Sequence, residues 1–261
     1  MTTSDTLLGM GKISKGLRSL GLRKPAWHKD GFFPPNYEEA DKATFIEAHP
    51  FTLTDRERII GLIRAVKYVE RAGIPGDIVE CGVWKGGSMM VVARTLLNLG
   101  STDRRLFLFD TFKGMTAPSD ADVSQEYGSA QETWDKKASS GDAGLSWVYS
   151  PLDEVKRNMA TVGYPQERTV YVQGRVEESL PDSAPERIAI LRLDTDWYES
   201  TLHEMRHLYP RLEEGGVLIL DDYFTWQGSR AAVDEYVKEQ GLRLFFAPLS
   251  SGASISVKQS S

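Results

Sequence analysis

Residues 77–110 confine this chain to a narrow set of folds. "DIVECGV" (77–83) is a short apolar, β-branched run, and it turns into glycines at "ECGVWKGGS". "GGSMMVVARTLLNLG" (86–100) then reads as a helix and "RLFLFD" (105–110) as a second apolar run. Strand, glycine-rich turn, helix and strand make a parallel βαβ unit, whose crossover helix must lie on one face of the sheet. The rhythm resumes downstream. A helix starts at Ser150-Pro151 and runs to about Gly163, and strands follow at 169–174 and 188–194. A helix runs from about Tyr198 to Leu212, then a strand at 217–221 and a helix at 229–241. The chain closes on "LRLFFAP" and "ASISVK". Strands that are apolar almost throughout are buried on both faces, as in a doubly wound, mostly parallel α/β sheet. The two closing strands are too near in sequence for a crossover, so one of them is expected to run antiparallel.

Two segments stand outside this rhythm. Residues 1–50 form an N-terminal segment ahead of the main domain at 51–261, and its first part carries Lys12, Lys15, Arg18, Arg23 and Lys24 against Asp5. It reads as a tail, or as a helical strut that serves as a lid or an oligomer contact. Residues 116–150 are rich in Ser, Asp, Gly and Ala, with Tyr127, Trp134, Trp147 and Tyr149 among them. A loop of that length inside a compact domain is expected to be a lid or binding loop. Between the two segments, "TDRERIIGLIRAVKYVERAG" predicts a helix that opens on a capping box, Thr54 with Glu57, and ends at Gly73.

Composition narrows the partners. With 41% hydrophobic residues in 261, the chain can fill one large core. A net charge of −6 argues against a nucleic-acid surface. The single cysteine, Cys81, excludes an internal disulfide and a cysteine zinc cage, which fits a reducing cytoplasm. No apolar run approaches the ~20 residues that a membrane helix needs, so no span is expected.

Open α/β sheets take ligands at the carboxyl ends of their strands. The turn after the first strand is no P-loop, because Lys85 precedes its glycine pair. It is no dinucleotide fingerprint either, since Trp84 fills the position where a pyrophosphate would need glycine. What remains is acid-x-Gly-x3-Gly, made by Glu80, Gly82 and Gly86, with Asp110 at the end of the second strand to hold ribose hydroxyls. This set suits S-adenosylmethionine, and a side chain at Gly82 is expected to crowd that cofactor. Four further acids sit at two strand mouths, in "LRLDTDWYEST" and "GGVLILDDYF". Two carboxylates about 4 Å apart repel by roughly 4 kcal/mol at an effective dielectric of 20. A bound cation is the simplest offset. Asp194 and Asp196 are two apart and would share a face if the strand continued through them.

"PGDIVECGVWKGGS", "LFDTFKGM", "ILRLDTDWYEST" and "LYPRLEEGGVLILDDY" together resemble the macrocin O-methyltransferase family over about residues 50–240. The resemblance implies a class I methyltransferase sheet of seven strands, S-adenosylmethionine as methyl donor and dependence on Mg²⁺ (or Mn²⁺). It also implies a glycoside acceptor and a homo-oligomer, in the simplest case a dimer. Matched position by position, Asp194, Asp221 and Asp222 correspond to metal ligands and Asp196 to the general base. Glu80, Gly82, Val83, Gly86, Ser88, Asp110, Thr111, Gly174, Arg175, Val176 and Asp194 fall in the cofactor pocket. Arg175 stands where some members carry an aromatic.

Three other readings compete. A catechol or other small vicinal diol would use the same metal logic. A cofactor-binding partner without catalysis would not need the full acid set. "HEMRH" (203–207) has the spacing of a zinc hydrolase helix, but no third histidine follows and the helix has an ordinary apolar face, so a surface coincidence is expected.

Overall fold

The computed structural model describes residues 33, 37–139 and 148–259. The basic N-terminal stretch and Trp147 lie outside them. The chain divides into two compact units, Met1–Lys42 and Ala43–Ser261, and helix α1 (Glu39–Ala48) begins in the first. Among the described residues, no helix is long and apolar enough to cross a membrane.

The second unit carries the sheet. Helix α2 (Arg56–Arg71) leads into β1 (Asp77–Cys81), α3 (Gly87–Asn98) and β2 (Leu106–Asp110). After the insertion come α5 (Leu152–Ala160), β5 (Thr169–Gln173) and a short helix α6 (Val176–Ser179), which the sequence did not signal. Then β6 (Ile188–Leu193), α7 (Tyr198–His207), β7 (Leu212–Leu220), α8 (Gln227–Glu239), β8 (Ala247–Pro248) and β9 (Ser254–Val257) complete the chain. The seven strands order as β5-β2-β1-β6-β7-β9-β8. β9 pairs antiparallel with both of its neighbours, and the other pairings are parallel. The expected α/β sheet is present, with the reversed strand at the end of the chain.

β1, β2 and β6 are buried almost throughout, and the core on one face joins them to Met205 of α7, to Leu208 at its end and to Ala232, Val233 and Tyr236 of α8. On α2, Ile59, Ile63 and Val66 are buried at helical spacing. The chain winds outward from β1 through β2 to β5, then returns to β6 on the other side of β1. That reversal opens a crevice at the carboxyl ends of β1 and β6, where doubly wound sheets bind their ligands.

Two local expectations change. The cap of α2 is Asp55, whose side chain accepts from the Arg58 amide at 2.9 Å. Thr54 is turned inward and buried instead, so the capping-box spacing was coincidental. The insertion is also not bare loop: it holds a small hairpin, β3 (Val123–Ser124) with β4 (Gly128–Ser129), and helix α4 (Ala130–Ser139). "LRLFFAP" gives a strand only at its last two residues.

Candidate active site

Every acid singled out at the strand mouths lies at this crevice. Cys81 ends β1, and Gly82 follows with φ +83, a left-handed conformation that glycine adopts without strain. A Cβ at that position would lie 2.0 Å from the Asp194 carbonyl oxygen. A side chain at Gly82 would therefore break the junction between β1 and the loop after β6, rather than crowd the cofactor alone. The turn is closed by Asp110, whose Oδ2 accepts from the amides of Val83 (2.7 Å) and Trp84 (3.1 Å) and whose Oδ1 accepts from Phe112 (2.6 Å). Thr111 stands beside it, with its hydroxyl donating to the Gly114 carbonyl. Gly86 caps α3 in the left-handed region, and Ser88, the second residue of that helix, is buried beside Glu80. From the next strand over, the Gly174 amide donates to the Asp110 carbonyl at 3.0 Å. Arg175 is part-exposed and pairs with Glu177, and Val176 starts α6. These residues make one continuous rim across β5, β2 and β1.

The second half of the crevice is charged and built on register. Glu80 on β1 stands opposite Arg192 on β6, which stands opposite Ile219 on β7. Arg192 is 3% exposed and Glu80 1%. The guanidinium donates to Glu80 Oε1 at 2.6 Å, to Asp194 Oδ2 at 2.7 Å, to Asp221 Oδ1 at 2.5 Å and to Thr54 Oγ1 at 3.3 Å. Arg58 of α2 meets Asp221 from the other side, at 3.3 Å from Oδ2. Part of the repulsion among the acids is thus offset inside the protein. The sequence contained a signal for this: a charge in the middle of "IAILRLD" is buried on both sides and must be paired. Nothing marked Arg58.

The offset is incomplete. Five carboxylates, Glu80, Asp194, Asp196, Asp221 and Asp222, face two guanidinium groups, which leaves three negative charges in excess when all are ionised. Asp194, Asp221 and Asp222 each offer an oxygen, and these atoms lie within 4.8 Å of one another. Burial pushes the Asp194 and Asp222 carboxyls well above the ordinary range; Arg192 pulls Asp194 back down, whereas Asp196 adds to the rise at Asp222. Burial, then Asp194, raises Asp196 to about 7, and burial raises Glu80 to about 7 against the pull of Arg192. Asp222 Oδ2 is buried without a hydrogen-bond partner.

Asp196 does not continue β6. The strand ends at Leu193, and Asp196 sits at φ +66 in a tight turn where the Trp197 amide donates to the Thr195 carbonyl at 2.8 Å. The alternation that would have put Asp194 and Asp196 on one face does not apply. The turn instead sets the Asp196 carboxyl beside Asp222 and Trp226. Trp226 packs edge-on against Trp197 at 5.1 Å, and Tyr127 of the insertion lies 6.0 Å from it. The "HEMRH" helix is α7. Its Glu204 is fully buried and takes the Thr195 hydroxyl at 3.0 Å, while the His203 and His207 rings contact each other at 4.3 Å. Glu204 is therefore no surface residue, and it faces the loop of the acids rather than a metal between the histidines.

A sheet of this order, with its glycine turn at the switch point, is that of a class I methyltransferase, and proteins of known structure agree: the solved O-methyltransferase NovP superposes with a TM-score of 0.69 at 26% identity, over 80% of this chain and 83% of that one. The profile described as Macrocin-O-methyltransferase (TylF) matches residues 33–250, and the chain belongs to that family. It is an O-methyltransferase. Similar curated proteins include the 8-demethyl-8-(2,3-dimethoxy-alpha-L-rhamnosyl)-tetracenomycin-C 4'-O-methyltransferase of Streptomyces olivaceus, 33% identical over 73% of this chain and 69% of that protein. The demethyldecarbamoylnovobiocin O-methyltransferase of Streptomyces niveus is 28% identical over 90% of this chain and 87% of its own length.

Proposed function

We propose that this enzyme moves a methyl group from S-adenosylmethionine to a sugar hydroxyl of a glycosylated natural product, with a divalent cation (Mg²⁺ or Mn²⁺) at Asp194, Asp221 and Asp222 and with Asp196 as general base. One observation carries the reading: three carboxylates converge within 4.8 Å, and a fourth, Asp196, lies beside Asp222. The donor set is all oxygen, which suits a hard cation. The unpartnered Asp222 Oδ2 and the excess negative charge fit it as well. The rhamnosyl group in the name of the tetracenomycin relative supports an acceptor hydroxyl on a glycosylated natural product.

When bound, the sulfonium supplies an electrophilic methyl group, and the cation supplies positive charge that favours the ionised form of the acceptor hydroxyl. The chain does the rest. The turn Glu80–Gly82–Val83, with Gly86, Ser88, Asp110 and Thr111, holds the amino-acid and ribose parts of the donor, and Gly174–Arg175–Val176 borders its base. Asp196 would accept the hydroxyl proton as the C–O bond to the methyl carbon forms and the sulfonium C–S bond breaks, its electron pair staying on sulfur in a neutral thioether. Trp226 stands beside that carboxylate. The insertion at 116–150 covers the acceptor.

Asp196→Asn tests this directly. Turnover is expected to fall by roughly 10²–10⁴, with Mg²⁺ and S-adenosylmethionine affinities by calorimetry near wild type. Full turnover in the folded variant would remove the base. A panel of glycosides run beside catechols assigns the acceptor, and methylation of catechols alone would refute the sugar reading.

A further inference from the structure

Helix α7 starts one residue after Trp197, two after the proposed base, and lacks a cap of its own: Trp197 occupies the N-cap position and offers no side-chain acceptor. The first amides of a helix need partners. Here the partner comes from 76 residues upstream, where Asp122 Oδ1 accepts from the Tyr198 amide at 2.8 Å. Asp122 lies in the insertion, just before β3, and is 1% exposed. Its Oδ2 accepts from the Ser119 amide at 2.7 Å and the Ser119 hydroxyl at 2.8 Å, and its carbonyl accepts from the Ala130 amide at 3.0 Å. The carboxylate is thus met by three donors and by the positive end of a ten-residue helix.

The same group touches the other segment that holds Asp196. Gly228, in the first turn of α8 and two residues after Trp226, approaches so closely that a Cβ there would lie 2.0 Å from Asp122 Oδ1 and 3.2 Å from the Tyr198 Cβ. Asp122 is wedged between the starts of α7 and α8, the two elements that bracket the Asp196 turn. That turn is strained, since Asp196 holds a left-handed φ of +66 that an L-residue adopts only when its surroundings impose it.

We propose that Asp122 is a positioning residue for methyl transfer: it caps α7 from the insertion and so fixes the turn that presents Asp196 to the acceptor. This rests on Asp196 as general base. It assigns the insertion a second task beside covering the acceptor, because the segment expected to contact the acceptor then also sets the base.

The test is a double-variant cycle on the full-length enzyme, using a glycoside that the panel above shows to be methylated. Misplacing a reacting group by about 1 Å can cost about 10²-fold, so Asp122→Ala is expected to lower kcat by about 10- to 10²-fold. KM for the glycoside and the S-adenosylmethionine affinity should stay near wild type. In the Asp196→Asn background the same substitution should cost nothing further. If Asp122→Ala does not fold, Gly228→Ala carries the same cycle, since its methyl displaces the Asp122 carboxylate while leaving its charge in place. Wild-type kcat in the folded single variant, or losses that multiply in the double variant, would overturn the proposal. Full turnover in Asp196→Asn alone would instead show that the base is misassigned, and the positioning role would fall with it.

Discussion

The β1/β6 crevice and the insertion at 116–150 meet around Asp196, yet they are held by different means. In the crevice, Glu80, Arg192, Asp194 and Asp221 are fixed by strand register and by the ladder amides of Asp194 and Asp221, which donate to Cys81 and Leu193. Among the described residues, the insertion meets the site through side chains, with Asp122 on the Tyr198 amide, the Trp197 indole N–H on the Thr116 carbonyl at 3.0 Å, and Tyr127 and Ala130, with Met115 just before the insertion, packed on Trp197 and Trp226. A site whose charges must stay put is built into the sheet. The part proposed to cover the acceptor is attached by side chains, outside the strand register that holds Glu80, Arg192, Asp194 and Asp221.

The comparison breaks most visibly at Arg192. Arg192→Met leaves Glu80, Asp194 and Asp221 without their shared partner, and removing one side of a buried ion pair costs about 3–5 kcal/mol. Chemical denaturation should show a loss of that size, partly recovered by Mg²⁺. A wild-type midpoint in metal-free protein would mean that the acids do not need the arginine.

Next in size is the effect of pH. Asp196 and Glu80 are both raised to about 7 in the folded protein, above the roughly 4 of an unfolded carboxyl. Between those values the folded chain holds protons that the unfolded chain has released, so metal-free stability should fall as pH rises from about 4 to about 7. The slope is at most about 1.4 kcal/mol per pH unit for each group. Saturating Mg²⁺ at Asp194, Asp221 and Asp222 adds positive charge that favours the ionised forms of their neighbours, so it should flatten the decline. A stability that rises across this window without metal would contradict the burial of these carboxyls. Turnover should climb with pH through the same region, and the limb should vanish in Asp196→Asn.

On the insertion side the effects are smaller. Trp197→Phe removes the bond to Thr116 and is expected to cost about 1 kcal/mol. It should speed proteolysis within 116–150 while leaving S-adenosylmethionine affinity unchanged. Equal cleavage rates would show that this bond does not hold the insertion down. The smallest effect belongs to the histidines of α7: His207→Ala should change stability by less than about 0.5 kcal/mol and leave turnover intact. Lost turnover there would bring the histidine pair into the chemistry.

The sequence by itself determined the frame of this enzyme. The apolar runs at 77–83, 105–110, 188–194 and 217–221 have the length of strands and are rich in β-branched or, at 105–110, aromatic residues, and the spacing between them suits crossovers. A glycine turn after the first strand and acids after β6 and β7 follow from those ends, so the crevice could be read from residue order. Only the tertiary structure decided what the charges meet. Arg192 finds Glu80, 112 residues away, through the parallel register of β1 and β6, and α7 takes its cap from Asp122. The left-handed turn at Asp196, the Asp55 cap and the helix inside the insertion were equally invisible. The reason is physical: periodicity is written locally and repeats along the chain, whereas the partner of a buried charge or an uncapped amide is whichever group the finished sheet places beside it.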